Sequence, residues 1–345
     1  MKLLKISLLV LFTFISLPHS ANAQTPTYRL LKKVTIGGEG GWDYLNADPQ
    51  HRRLYIAHGM QVEVYDLDHD SIIGHIPNTE GVHGIAISKR EGHGFISNGR
   101  SNTVLMFDLV TLDTIRRIAV GEKPDAIVYD PASKHVFVMD GKSEDITVLD
   151  AGSGDVVTTI KLPGAPEFAV SDERGHVYVN LEDKSEVVRI DSRSNTIEHV
   201  WPLAPGERPT GIAMDRGISR LFIGCANQKM IVMDAANGKI LQSLPIGKGV
   251  DAVVFDPFTR LAFSSNGEGN VTIMRELDQN SFEVTQTLAT ERGARTIALD
   301  THTQDIYLVT AQFGPAPAAT SENPHPRPSI LPNTFMVLKY GPGKP

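Results

Sequence analysis

Cysteine is nearly missing from this sequence: Cys225 stands alone in 345 residues, so no disulfide can form within the chain. There is no Cys-x-x-Cys-His, which excludes covalently attached c-type haem. Cys225 closes the apolar run Leu-Phe-Ile-Gly-Cys, where a small buried residue is expected rather than a reactive thiol. Long apolar stretches are lacking too. After residue 23 nothing approaches the roughly 20 residues of a membrane helix, so no membrane span is expected. Basic clusters are absent: 33 Lys and Arg face 40 Asp and Glu, a formal charge of −7 that argues against a nucleic-acid partner. No Gly-x-Ser-x-Gly elbow supplies a serine nucleophile. The glycine-rich run 37–41 lacks the lysine and following helix of a phosphate loop and reads as a crossover. Asp66-x-Asp68-x-Asp70 starts like a calcium loop but continues with Ser71 and Pro77 where Gly and Glu are needed, so a hairpin turn is expected.

The chain opens on a targeting pattern. Lys2 and Lys5 precede an apolar stretch at 8–17, and Ala21-Asn22-Ala23 fits a small-x-small cleavage site before Gln24. Residues 1–23 are therefore expected to be a signal peptide, and the mature chain, 24–345, a single domain in the periplasm or secreted. Its removal takes two lysines and no acids, moving the formal charge from −7 to −9.

Beyond the leader the sequence repeats. Residues 125–166 hold four β-runs, at 125–130, 135–140, 145–150 and 156–162, separated by turn residues: Pro131 to Lys134, Gly141 to Glu144, and Gly152-Ser153-Gly154. The residue ending the first run recurs as Asp48, Ser88, Asp130, Asp172, Asp215, Asp256 and Asp300, at intervals of 40, 42, 42, 43, 41 and 44. The residue ending the third run recurs as Asp66, Asp108, Asp150, Asp191 and Asp234, with Arg275 and Lys339 in the last two units. Two anchors on one period predict an all-β fold: a seven-bladed β-propeller of four-stranded antiparallel blades. The last unit has only three strands, and 28–36 can supply its fourth, so the N-terminal strand is expected to close the ring as a monomer. That unit also carries a proline-rich insertion, 311–333, which reads as an ordered lid because Phe313, Ile330 and Leu331 give it something to bury.

Three stretches carry a family resemblance: 177–191 (VYVNLEDKSEVVRID), 54–66 (LYIAHGMQVEVYD) and 94–108 (GFISNGRSNTVLMFD). They resemble the repeat of the YVTN-type, YncE-like exported bacterial propellers, over roughly 28–340, although Tyr-Val-Thr-Asn is nowhere intact and Val177-Tyr178-Val179-Asn180 comes nearest. The resemblance implies a propeller and a binding or accessory role, and transfers no catalytic set.

The site is therefore argued from position. If the first strand of each blade lines the channel, its opening residues share one face: Asp43, His83, Asp125, Glu167, Thr210, Asp251 and Arg295. The loops between second and third strands add His58, Asn98, Arg100, Asp140, Asn180, Glu182, Asn227 and Asn266. A mostly acidic funnel under the lid follows, suited to an unidentified small ligand or protein partner, with Arg100 and Arg295 available to grip an anionic group. The alternative is a divalent metal, structural or activating water, for which Glu167, Asn180, Asp251 and Asn266 would be the lactonase-like set. A pure scaffold is a third reading, in which the same polar residues are hydrated turn caps.

Overall fold

The computed structural model describes residues 26–318, 326 and 328–343. The leader at 1–23 and the insertion's residues 319–325 and 327 lie outside the described residues. Among the described residues, twenty-eight strands form seven four-stranded antiparallel sheets. Among the described residues there is no helix long and apolar enough to cross a membrane.

The repeats become blades because most of their anchors are turn-makers. Asp108 Oδ1 accepts the backbone N–H of Val110 and of Thr111 at 2.7 and 2.8 Å, and Asp66, Asp150 and Asp191 do the same in their own blades. The first anchor works alike: Asp48 accepts from Gln50 and His51, and Asp172 from Arg174 and His176. A short acid that satisfies two backbone donors fixes the hairpin, and the strands on either side follow. The calcium-like stretch is such a turn, as expected.

No blade buries its own faces. The apolar core is instead seven layers, one in each seam between neighbouring blades. Phe137, Met139, Ile146 and Val148 of the third blade, for example, meet Val177, Val179 and Val188 of the fourth. Cys225 is one of these seam residues, fully buried, and burial pushes its thiol up to about 12, which leaves it unreactive.

The ring closes as the strand count predicts. Tyr28–Thr35 pairs antiparallel with Met336–Pro342, completing the seventh blade, whose other strands are Ile297–Asp300 and Asp305–Thr310. Tyr28 is buried in the seam between blades six and seven, and Val34 and Ile36 pack into the seam between seven and one.

Candidate functional site

The innermost strand of each of the first six blades carries a bulge at its opening, with the pairing register broken just after its first residue. The residue at that break is Asp43, His83, Asp125, Glu167, Thr210 or Asp251. A bulge leaves a residue outside the ladder and re-aims its side chain. Six blades thus free a side chain at the same inner level, and Arg295, just ahead of Ile297–Asp300, completes the set.

Five of these seven, Asp43, Asp125, Glu167, Asp251 and Arg295, line one axial cavity of about 890 Å³. His83 joins through its ion pairs. Its Nδ1 lies 2.5 Å from Asp43 Oδ2 and 3.5 Å from Asp125 Oδ1. Arg295 takes the other side: its Nε donates to Asp251 Oδ2 at 2.6 Å, and its Nη2 lies 3.5 Å from Asp43 Oδ1. The result is a chain of alternating charge, Asp251, Arg295, Asp43, His83, Asp125. Glu167 stands apart from it, with only the Tyr44 hydroxyl, at 3.5 Å, as a hydrogen-bond partner among the described residues. Thr210 is withdrawn, its hydroxyl donating to the Val250 carbonyl at 2.9 Å.

Burial sets the protonation of this ring. It pushes Glu167 up to about 9, with the Asp125 and Asp251 charges adding to the rise. It also raises Asp125, against the pull of His83, and takes Asp251 to about 6 despite Arg295. For His83 burial works against the imidazolium, yet the Asp43 and Asp125 carboxylates outweigh it and hold the ring above the ordinary histidine range.

The other anticipated residues are used differently. His58 and Arg100 line a neighbouring cavity of about 550 Å³ beside the glycine-rich run, so Arg100 and Arg295 do not face one ligand space. His58 is buried, stacked on Phe335 at 3.9 Å with Nδ1 3.1 Å from Glu63 Oε1. Asn98 donates to the Ile96 carbonyl and the Thr103 hydroxyl, both at 3.4 Å, and Asn227 donates to the Pro205 carbonyl at 3.0 Å. Asn266 Nδ2 donates to Asn270 Oδ1 at 2.7 Å and to the Thr272 hydroxyl at 3.1 Å, inside its own blade. Asn180 Nδ2 donates at 2.7 Å to the Thr210 carbonyl of the next blade. Of the four residues in the lactonase-like set, Glu167 and Asp251 line the axial cavity and Asn180 and Asn266 do not; the set is not gathered there. Asp140 is closed inside its blade against Thr147, while Glu182 lines the cavity and pairs with Arg208 at 2.6 Å.

The described ends of the insertion reach the funnel. Phe313 and Ile330 form an isolated antiparallel bridge, flanked by Gly314 N–H to the Ser329 carbonyl and Leu331 N–H to the Gln312 carbonyl, both 2.8 Å. Phe313, Pro328 and Ile330 line the cavity, and the Arg292 guanidinium lies over the Phe313 ring at 5.9 Å. Below, Tyr44 forms the floor. It is buried and meets Phe168 of the fourth blade edge-on at 4.7 Å, and it borders both the acidic funnel and a smaller space of about 280 Å³ further along the inner strands. Trp42 and Tyr44 were not among the anticipated site residues, because in an unbroken strand Tyr44 would face opposite to Asp43. The bulge brings both to the cavity.

No protein-family model matches the sequence, and no curated protein is found similar to it. Solved structures do share its fold. One is a chain of Kuenenia stuttgartiensis hydrazine synthase, which superposes with a TM-score of 0.69 at 15% identity, covering 80% of this chain and 94% of that one. A likeness at that identity is one of fold, and it supports the seven-bladed propeller.

Proposed function

We propose that this chain is an exported binding protein that holds the ammonium or guanidinium group of a small ligand in its axial funnel. The observation that carries this reading is the position of Glu167. Among the four inner carboxylates, Asp43, Asp125 and Asp251 each have a basic partner, and Glu167 has none among the described residues. Burial keeps it protonated while the funnel is empty. An incoming cation lets Glu167 ionise, and that gain is available only to a positively charged ligand. Trp42, Tyr44 and Phe313 supply aromatic surface for the same group. Export is supported by the leader pattern at 1–23, and a binding rather than catalytic role by the resemblance to YVTN-type repeats.

The test is a ligand panel at pH 7.5 containing putrescine, arginine and choline, with citrate and succinate as anionic counterparts, read by thermal shift and isothermal titration. At least one cationic compound raises the melting temperature, and Glu167→Gln weakens its binding by roughly tenfold or more, as loss of a buried charge partner does. Stabilisation by the anions alone, or cation binding indifferent to Glu167→Gln, rejects the reading.

A further inference from the structure

We infer that Asp43, His83 and Asp125 form a binding site for one divalent first-row transition-metal ion, set in the wall of the funnel and open to it. This goes beyond the cationic-ligand reading and does not rest on it. Each residue opens the inner strand of a different blade, the first, second and third, so the ring itself fixes their spacing. One donor atom from each of the three can be chosen so that all lie within 4.8 Å of one another, and His83 Nδ1 faces Asp43 Oδ2 at 2.5 Å and Asp125 Oδ1 at 3.5 Å. Bonds of about 2.0–2.2 Å place donors on one ion roughly 3–3.5 Å apart, so Asp125 already stands at such a distance from His83 and Asp43 need only draw back from its ion pair.

The surroundings complete the site in ways an isolated ion pair does not require. The second oxygen of Asp43 is turned to Arg295, which orients the carboxylate from behind, as outer partners orient metal ligands. The far edge of the His83 ring rests on Gly99, where an added Cβ would fall 2.6 Å from Nε2. Glycine at 99 therefore makes the room that lets Nδ1 face the two acids. On the fourth side is the cavity, so an ion held here keeps open positions for water or a ligand, the arrangement of a reactive rather than a purely structural site. One imidazole among two carboxylates suits Mn²⁺, Fe²⁺ or Zn²⁺ better than Mg²⁺ or Ca²⁺, which favour oxygen alone.

The experiment uses the full chain, stripped with a chelator and titrated with Mn²⁺, Zn²⁺, Mg²⁺ and Ca²⁺ by calorimetry. Mn²⁺ and Zn²⁺ should bind at one per chain. His83→Gln and Asp125→Asn should each weaken Mn²⁺ about tenfold or more. Spin-echo modulation of bound Mn²⁺ in the unaltered protein should show an imidazole nitrogen, a readout that stands even where a variant fails to fold. No binding of either ion, equal binding of Ca²⁺, binding unaffected by both substitutions, or an all-oxygen Mn²⁺ environment overturns the inference. Amine binding lost in Glu167→Gln with no metal bound would leave the cationic-ligand reading standing alone.

Discussion

At Asp140 a single carboxylate is closed off from water at a place where other blades use an amide. Blades two and six end their second strand in Asn98 and Asn266, each bonded to a threonine of the next strand, Thr103 and Thr272. Blade three has Asp140, whose Oδ2 accepts from the Thr147 N–H at 3.0 Å and its hydroxyl at 2.7 Å, while Oδ1 is buried with no well-formed hydrogen bond among the described residues. Burial pushes Asp140 up to about 7, with Asp145 adding to the rise and Thr147 opposing it. Because the folded pKa lies above the unfolded one, the folded state binds the extra proton, and stability is lost as pH rises from about 4 to about 7. Asp140→Asn mimics the protonated form and removes that slope. It should stabilise the protein at pH 8, by up to about 4 kcal/mol, and change little at pH 4. Urea unfolding at the two pH values checks this; equal effects at both would show that ionisation of Asp140 is not the cause.

Elements explain what could be read in advance and what could not. The blades were legible because each anchor acid does its work locally, on backbone donors two and three residues away, so its spacing survives in the sequence. The inner opening residues were legible for the same reason: strand position alone places them. The asparagines were not. Asn180 falls one residue earlier in its strand than Asn98 and Asn266 do in theirs, since Leu181 ends that strand. It matches Ser97 and Ser265 instead, whose hydroxyls donate to the carbonyls of Asp125 and Arg295 in the following blades. These side chains latch one blade to the next by way of the site residue's own carbonyl, a contact between units that no period can reveal. One step of register in a strand exchanges faces, and with it a latch for a ligand. The clasp was legible as a missing strand, but its two-sided packing was not. Tyr28 exchanges bonds with the Gln286 side chain of the sixth blade at 2.9 and 2.8 Å, while Val34 reaches the first-blade seam. A chain beginning at Gly40 therefore loses a strand and part of two seams together. It should express insolubly or melt far lower than the chain beginning at residue 24, and melting within about 2 °C of it would show that closure does not depend on this strand.

Across the whole molecule, the ring works as a device for bringing like charges together. Seven stiff sheets meet at an axis, and any acid on an inner opening residue is held near the others whether or not their charges agree. Asp125, Glu167 and Asp251 come from blades three, four and six, so no local turn relieves their repulsion. All three are raised by burial first, and each is raised further by carboxylate neighbours. The folded pKa again exceeds the unfolded one, so these groups destabilise the empty protein increasingly as pH rises, through about 6 for Asp251 and about 9 for Glu167. Replacing them by Asn, Gln and Asn removes the charge and keeps the shape. The empty triple variant should be more stable than the natural sequence at pH 8, on the order of 2 kcal/mol or several degrees, with the difference shrinking at pH 5. It should also lose the stabilisation that cations confer. Melting curves at both pH values, with and without added putrescine and Mn²⁺, measure the two effects together. A triple variant that melts like the natural protein at pH 8 and is stabilised equally by cations would mean that the acids are hydrated turn caps, each facing water separately. A variant more stable when empty and silent to cations would mean that the fold tolerates this repulsion at its axis and that an arriving positive charge relieves it.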